Sequence, residues 1–385
     1  MPLLLDPDPR HSPFLQATRP QSTGARATAR GPPSSPADAF AARPRPAAQP
    51  VSGAYPLRRV SLAAVPPPAS YALRAVGHSH HIGVDENGLG ARLGPLIVTA
   101  VMARVGPAGS SWWEQPYPDD LARDLDDSKR LVSHADVRLG EAWTRALVTS
   151  RARSPSELFR QISLEGEPQL TQPCPARVRA QCWSAEGEGF RAPAAMLDRI
   201  AGHVQRLRAT GLDICGVRTS VVCVRRLNQG RRHGHSRFSM DLFAMEELIL
   251  ALREAAGAEV RAVCGKVGGI GDYSKFFGPL GGRLHVALER SAERSVYRFP
   301  GLGEICFVRD VDAADPLVMV ASLVGKYVRE LLMARIARHY AGSWAETAPP
   351  SGYHDPRTAR FVTATQAVRR RRRVPNDCFE RERGK

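Results

Sequence analysis

Lysine, paired cysteines and long apolar runs are all scarce in this 385-residue chain. Only five lysines stand beside 49 arginines. The seven cysteines are an odd number without a CxxC pair, which gives little support to a disulfide scaffold or a structural zinc site. No apolar run approaches the roughly 20 residues of a membrane-spanning helix, and the first residues lack the basic start of a secretory signal. We therefore expect a cytoplasmic protein without a membrane segment.

Positive charge is what the chain has in excess. Its 54 lysines and arginines exceed its 38 acidic residues and give a formal net charge of +16, while 43% hydrophobic residues are typical of a globular protein. An excess of cations favours a polyanionic partner such as nucleic acid. Arginine and proline enrichment can equally reflect genomic base composition, so the charge alone leaves both interpretations open.

The composition divides the chain into three parts. Fifteen of the 31 prolines fall in the first 70 residues, and we expect 1–74 to be a disordered tail. Residues 75–365 alternate strand-like and helix-like segments, which predicts one α/β domain with an irregular insertion around 150–235. Residues 366–385 are predicted to be a basic C-terminal tail.

Hydrophobic periodicity predicts several elements within this domain. Strands are expected at 96–102, 214–224 and 259–264. Helices are expected at 133–148 with Ser133 as its cap, at 240–256, and at about 316–340 with Pro316 in the first turn.

Two adjacent acids, Asp85 and Glu86, stand at the end of a strand-like segment and are followed by Gly88, Gly90 and Gly94. Neighbouring side chains on a regular strand face opposite ways, so both acids can serve one site only if the strand ends or bulges there. Carboxylates on a rigid strand are a usual start for a site that binds a hard cation. A solvated acidic turn is the alternative.

Three further motifs follow in order along the chain. They are Asp127-Ser128-Lys129-Arg130-Leu131, the run from Asp312 through Pro316 and Ser322 to Lys326, and Gly352-Tyr353 with Asp355-Pro356. Together with Asp85-Glu86-Asn87-Gly88-Leu89-Gly90 and Gly94-Pro95, they resemble the D-E-x-G-x-G…G-P, D-S-K-x-L, A-D-x-x-x-P…S-x-x-x-K and G-Y…D-P elements of the type 2 ribonuclease H family (ribonuclease HII). The resemblance spans about 82–360.

The resemblance implies an α/β, ribonuclease H-like fold, with a mixed central sheet flanked by helices and an acidic site at its strand ends. It also implies Mg²⁺- or Mn²⁺-dependent endonucleolytic cleavage of the RNA strand, or of embedded ribonucleotides, in RNA–DNA hybrids. The expected partner is therefore an RNA–DNA hybrid or duplex DNA containing ribonucleotides, and we expect a monomer.

The resemblance also implies residue roles. Asp85 and Glu86 match the leading metal-binding pair, Asp312 matches the late catalytic aspartate, and Tyr353 matches a tyrosine that recognises the ribonucleotide–deoxyribonucleotide junction. The other expected substrate contacts are Gly88, Leu89, Gly90, Arg92, Lys129, Ser322, Lys326 and Arg329. Lys326 and Arg329 lie three residues apart and hence on one helix face; each could equally be a solvated surface cation.

This sequence departs from the family pattern at two functional positions. The family's further catalytic aspartate would fall on Cys264 or Gly265, depending on register, and neither is a hard-cation ligand; Asp272 is the nearest substitute. Gly88-Leu89-Gly90 replaces a G-R-G loop, with Arg92 as the candidate replacement for its charge.

These departures leave three functions open. The first is an active endoribonuclease on hybrids, and the second is a catalytically impaired relative that binds nucleic acid without cleaving it. The third is a DNA-processing nuclease. Arg369–Arg373 is interpreted as a phosphate-binding block, with a solvated tail as the alternative. Trp112 and Trp113 are expected to anchor the core or a loop rather than stack on bases.

Overall fold

The computed structural model describes residues 79–382, except 114–116, 135, 149–150, 177, 179, 268, 345 and 347–348. The tail predicted at 1–74 lies outside these residues. Within them, strands form one mixed sheet: β1 His80–Asn87, β2 Leu96–Val105, β3 Leu212–Val222, β4 Val260–Gly265, β5 Val286–Arg290, β6 Arg294–Phe299 and β7 Gly303–Val308.

The strand order in the described sheet is β3-β2-β1-β4-β7-β6-β5. β4 runs parallel to both β1 and β7, and the remaining neighbours are antiparallel. Because the carboxyl ends of parallel strands lie at the same edge, residues at the ends of β1, β4 and β7 come together there. This edge is where Asp85 and Glu86 lie.

Helices cover both faces of the sheet. Their bounds are α1 Asp119–Ala122, α2 Ser128–Leu131, α3 Arg138–Leu147, α4 Pro155–Ile162, α5 Glu167–Thr171, α6 Ala194–Ala209, α7 Val224–Arg232, α8 Arg237–Ala256, α9 Pro316–His339, α10 Pro356–Ala364, α11 Gln366–Arg371 and α12 Asn376–Phe379. Short 3₁₀ turns lie at Pro107–Trp113, Gln181–Trp183, Ser274–Phe276, Val311–Ala313 and Ala341–Ser343. The apolar side chains of α3, α6 and α9 join one core, and those of α8 join a second with β1 and β4. The expected mixed sheet flanked by helices is confirmed.

None of the described helices combines the length and the apolar character needed to cross a membrane.

Helix α9 begins where the sequence predicts. The Asp315 carboxylate accepts hydrogen bonds from the backbone N–H groups of Leu317 (2.9 Å) and Val318 (3.1 Å), and Pro316 fills the first turn. Gly83 on β1 lets this helix lie against the strand, because a Cβ there would be only 2.3 Å from the Leu317 carbonyl carbon. The start of α9 is thereby held beside the acidic end of β1.

The segment predicted as an irregular insertion at 150–235 contains regular structure, so that description is wrong for it. It includes α4, α6 and α7, and β3 pairs along its length with β2. Glu188 also fixes the segment to α9, accepting from Arg335 Nε at 2.6 Å with both side chains buried. The sequence predicts β3 as a strand at 214–224, but it misses the helices because their partners lie far away along the chain.

The predicted C-terminal tail at 366–385 is also packed where it is described. α11 and α12 bury Val368 and Phe379 in a core with α9 and α10. Arg369 is 6% exposed and donates to the Val362 carbonyl at 2.9 Å. The Arg369–Arg373 block therefore begins inside the fold, so the interpretation as a solvated tail is wrong for Arg369, while the four arginines after it are exposed.

Helix α3 begins at Arg138, five residues later than predicted. Ser133 does not cap it; instead, the Ser133 hydroxyl accepts from the backbone N–H of Asp136 at 3.2 Å in a preceding turn. Local hydrogen bonding of serine competes with helix formation in this way.

A buried glutamate of α8 should make stability pH-dependent. Glu246 is 1% exposed and accepts from the N–H groups of Gly278 and Leu280, and burial raises the pKa of Glu246 to about 8. Because the folded-state pKa is raised, the stability that Glu246 contributes is full below about pH 4.5 and is lost as the pH rises to about 8. Over this range, the free energy of unfolding should fall by at most about 1.4 kcal/mol per pH unit because of Glu246.

Glu246→Gln keeps an acceptor oxygen and should remove this part of the pH dependence. Urea unfolding at pH 5 and pH 8.5 measures it, with the exposed Glu254→Gln as control. An equal loss of stability in wild type and Glu246→Gln over this range would contradict the assignment.

Candidate active site

The four sequence motifs meet at one edge of the sheet. Ser128 and Ser322 hydroxyl oxygens are 2.8 Å apart, which joins the second motif to the third. The Gly352 carbonyl accepts from the backbone N–H groups of Arg92 (2.8 Å) and Leu93 (2.9 Å), which joins the fourth motif to the first. Segments hundreds of residues apart in sequence therefore form one continuous surface around the end of β1.

Asp85 lies at the centre of this surface and is 8% exposed. Its Oδ2 accepts a hydrogen bond from Asn87 Nδ2 at 3.3 Å. Burial raises the pKa of Asp85 to about 7 and the nearby charge of Asp312 adds to this, while a hydrogen bond from Ser322 acts in the opposite direction. The Asp85 carboxylate is thus poorly compensated.

Glu86 has the same kind of environment. Burial raises the pKa of Glu86 well above its ordinary value, and the charges of Asp241, Asp85 and Asp312 raise it further. Hard oxygen donors gathered with little compensating charge suit a divalent cation such as Mg²⁺ or Mn²⁺. As the described side chains stand, no three His, Cys, Asp or Glu residues are yet close enough together to hold an ion.

Asp312 lies in the 3₁₀ turn that follows β7 and is paired with a lysine. Its Oδ2 is 2.8 Å from Lys129 Nζ, and this hydrogen bond raises the pKa of Lys129. The Lys129 side chain is 76% exposed. Lys129 therefore provides an exposed positive charge at the edge of the acidic cluster, where it pairs with Asp312.

The structure separates the two candidates for the missing aspartate. Cys264 is fully buried among the apolar side chains under α8, and burial raises the pKa of its thiol. At Gly265, by contrast, a Cβ would lie 3.7 Å from Glu86 Oε2 and 4.0 Å from Asp85 Oδ1. Of the two positions, Gly265 is therefore the one that lies close to both acids of β1.

Two arginines, Arg329 and Arg381, contact the glycine loop that follows β1. The contact with Arg381 was not predicted from the sequence. Gly88 has φ +89°, and a Cβ there would be 2.5 Å from Arg329 Nε, so the loop needs glycine. Arg381 donates to the carbonyls of Gly88 (2.6 Å), Leu89 (3.2 Å) and Gly94 (2.9 Å). Burial lowers the pKa of Arg381 to about 9.

Arg329 and Lys326, which we expected to contact the substrate, form hydrogen bonds within the protein. Arg329 is 1% exposed; it donates to Glu330 (2.7 Å) and to the Ser351 carbonyl (2.9 Å), so the prediction that it contacts phosphate is wrong. Lys326 Nζ donates to the carbonyls of Val132 (2.5 Å) and Ser128 (3.2 Å). Both residues hold the motif segments in place.

Arg92 is paired as well, since its Nε lies 2.7 Å from Glu380 Oε1. Its charge is therefore partly neutralised where the glycine loop meets the C-terminal segment. Tyr353 is half-buried beside this loop, with the Arg329 guanidinium 4.5 Å from its ring centre and the His134 ring 5.7 Å away. These two contacts hold the aromatic ring next to the acidic end of β1.

Asp272 and the two tryptophans lie outside this cluster. Asp272 Oδ1 accepts hydrogen bonds from the hydroxyls of Ser274 (2.6 Å) and Tyr297 (3.1 Å). Its carboxylate is therefore bound by neighbouring side chains, and the suggestion that it substitutes for the missing aspartate is not supported. Trp112 donates to Thr210 (3.0 Å) and Trp113 to Asp315 (2.6 Å). The expected anchoring role of both tryptophans is confirmed.

Replacing Arg381 by methionine should loosen the glycine loop. The Gly88 carbonyl keeps the Ala91 N–H as a donor, but the buried Gly94 carbonyl loses Arg381. A buried carbonyl without a donor costs about 1–3 kcal/mol, so we expect a loss of that size in urea unfolding and faster proteolysis within 88–94. The exposed Arg370→Met is the control. A stability equal to that of the wild type in Arg381→Met would show that the three hydrogen bonds do not brace the loop.

This chain has only distant likenesses to known proteins. No family model and no curated protein sequence matches the chain. Among solved structures, it is similar to ribonuclease HII from Archaeoglobus fulgidus, solved in a complex with PCNA, with 18% identity, a TM-score of 0.35 and coverage of 79% of this chain and 95% of that one. Bst-RNase HIII in complex with Mn²⁺ gives 14% identity, a TM-score of 0.40 and coverage of 82% and 70%. Ribonuclease H2 from Pyrococcus horikoshii OT3 gives 13% identity, a TM-score of 0.35 and coverage of 78% of this chain and 92% of that one. Residue roles therefore have to come from the geometry of the site itself.

Proposed function

We propose that this protein is a divalent-metal-dependent endoribonuclease that cleaves the RNA strand, or embedded ribonucleotides, of RNA–DNA hybrids. The observation that carries the proposal is the pair of poorly compensated carboxylates, Asp85 and Glu86, within reach of one point at the sheet edge where all four motifs meet. A nuclease of this kind needs acids of this type beside a surface that can receive a phosphodiester.

The donor set fits Mg²⁺ or Mn²⁺, with Asp85, Glu86 and Asp312 as the residues that would hold the ion. When bound, such ions activate water and neutralise charge on the phosphate. Ser322 supports this arrangement by hydrogen bonding to Asp85, and Ser128 in turn orients Ser322. The buried position of Asp85 keeps bulk water away from its carboxylate.

The remaining motif residues are suited to binding the substrate. The backbone of Gly88, Leu89 and Gly90 lies close to the acids, and Gly90 leaves open space where a Cβ would point. Lys129 can exchange its pairing with Asp312 for a phosphate. Tyr353, held between Arg329 and His134, offers a ring for stacking at the junction nucleotide.

A binding protein without cleavage is the second candidate. Two observations favour it: Gly265 offers no carboxylate, and Asp312 is engaged by Lys129. A site with fewer anionic ligands binds divalent ions more weakly, while the surface for nucleic acid is unaffected.

A cleavage assay on three labelled duplexes separates these functions. One duplex carries a single embedded ribonucleotide, one is an RNA–DNA hybrid, and one is DNA only, each tested with Mg²⁺ and then Mn²⁺. We expect cleavage of the first two, with 3′-hydroxyl and 5′-phosphate ends. Binding without product at high protein concentration would favour the binding protein, and cleavage of the DNA-only duplex at an equal rate would favour a DNA nuclease.

A further inference from the structure

Helix α8 places a carboxylate beside the acidic cluster that no sequence motif includes. Asp241 lies one turn into this helix, on the face that packs against β1 and β4. Its residue is 0% exposed, and neither carboxylate oxygen has a hydrogen-bond partner among the described residues. Burying a carboxylate without any partner costs several kcal/mol unless it is neutralised or pairs with a cation.

A second acid on the same helix shows what a purely structural carboxylate does here. Glu246 is also buried, but its Oε2 accepts from two backbone N–H groups and so fixes the turn at 278–280. Asp241 has no such contact. Its side chain therefore contributes nothing to folding through hydrogen bonds, and its position needs another explanation.

The surroundings of Asp241 point to the metal-binding cluster. Burial raises the pKa of Glu86 and the charge of Asp241 adds to this, and burial and then the charge of Asp85 raise the pKa of Asp241. On β1, Ile82 and Val84 pack in one core with the apolar side chains of α8, and because side chains alternate along a strand, Glu86 faces the same side of the sheet. Asp241 is thus an unpartnered, fully buried oxygen donor on the side of β1 that Glu86 faces.

We propose that Asp241 supplies, from helix α8, the metal-binding carboxylate that Gly265 lacks, and that it binds the divalent ion together with Glu86. This inference rests on the proposed metal-dependent function. The fourth acidic ligand would then lie on helix α8 and not at the end of β4. It would reach the site from the face of the sheet that α8 covers.

Mn²⁺ binding to the metal-free protein tests this without any need for activity. Isothermal titration calorimetry would compare wild type with Asp241→Asn and with Glu247→Gln, a control that removes a half-buried carboxylate of the same helix near Glu165 and Arg226. We expect Asp241→Asn to lose roughly tenfold or more in Mn²⁺ affinity and Glu247→Gln to lose nothing.

The effect of Asp241→Asn on the Tm is a second measurement, and it should differ between the metal-free and the Mn²⁺-bound protein. In EDTA, Asp241→Asn should be at least as stable as wild type, because the cost of burying an ionisable carboxyl group without a partner has been removed. With Mn²⁺, wild type should gain more in Tm than the variant. If Asp241→Asn does not fold, Asp241→Leu, which suits the apolar face, takes its place.

Asp85→Asn distinguishes failure of this inference from failure of the proposed function. If Asp85→Asn weakens Mn²⁺ binding and Asp241→Asn does not, Asp241 is only a buried acid and the inference is overturned. If neither variant changes Mn²⁺ binding, the proposed metal site itself is wrong.

Discussion

Replacing Asp85 by asparagine is expected to reduce cleavage of a ribonucleotide-containing duplex by about 10²-fold or more, the scale on which loss of one charge-stabilising group acts at a reacting phosphate. Asp85 is the most central of the acids: it is buried, hydrogen-bonded by Asn87 and Ser322, and within 4.0 Å of the point where Glu86 also reaches. Asparagine preserves the shape of the side chain and removes the charge that would bind the ion.

Single-turnover cleavage under saturating protein measures this effect, since it separates the chemical step from binding. Asp310→Asn is the matched control, because Asp310 is an exposed aspartate two residues before Asp312. Affinity for the hybrid should change little in Asp85→Asn, because the loop and Tyr353 are untouched. Equal cleavage by Asp85→Asn and wild type would mean that the reaction occurs elsewhere.

Gly265→Asp should have the opposite effect and strengthen both Mn²⁺ binding and cleavage, by roughly tenfold or more. A Cβ at Gly265 meets Glu86 Oε2 and Asp85 Oδ1 at ordinary contact distances, so the new side chain fits at the centre of the acids. Without metal, a further carboxylate there is repelled by its neighbours and should destabilise the protein. Mn²⁺ should reverse that loss.

Gly265→Asn is the control, since it adds the same bulk without the charge. Calorimetry and cleavage rates of the two variants can be compared directly, and equal Mn²⁺ affinity in both would contradict the placement of Gly265. The double variant Gly265→Asp with Asp241→Asn is informative too: recovery of Mn²⁺ affinity relative to Asp241→Asn alone would show that the two positions supply the same kind of ligand.

The sequence predicts this fold best where local signals agree with packing. Asp315 and Pro316 mark the start of α9, and the apolar spacing in 240–256 identifies α8. The motifs also identify the residues that meet at the end of β1. What the sequence misses depends on distant contacts: α6 packs in one core with α3 and α9, which lie far from it along the chain, and Arg369 is buried although it begins a run of five arginines.

Asp241 had a sequence signal that could have been noticed. It shares one helix face with Met245, Leu248 and Leu252, so it is a lone acid at a buried spacing. A charged residue in such a position is rarely buried unless it is paired. The contact between Arg381 and the glycine loop had no comparable signal, because a single arginine near the end of a basic chain does not stand out.

The bracing of the glycine loop by Arg381 has a consequence for how the protein is made. Gly88 and Arg381 are 293 positions apart. A ribosome that adds about 5–20 residues per second therefore adds Arg381 roughly 15–60 s after Gly88. A chain still being synthesised holds its acids on β1 but not the loop geometry beside them. The three hydrogen bonds that fix the loop should therefore form only after residue 381 has left the ribosome.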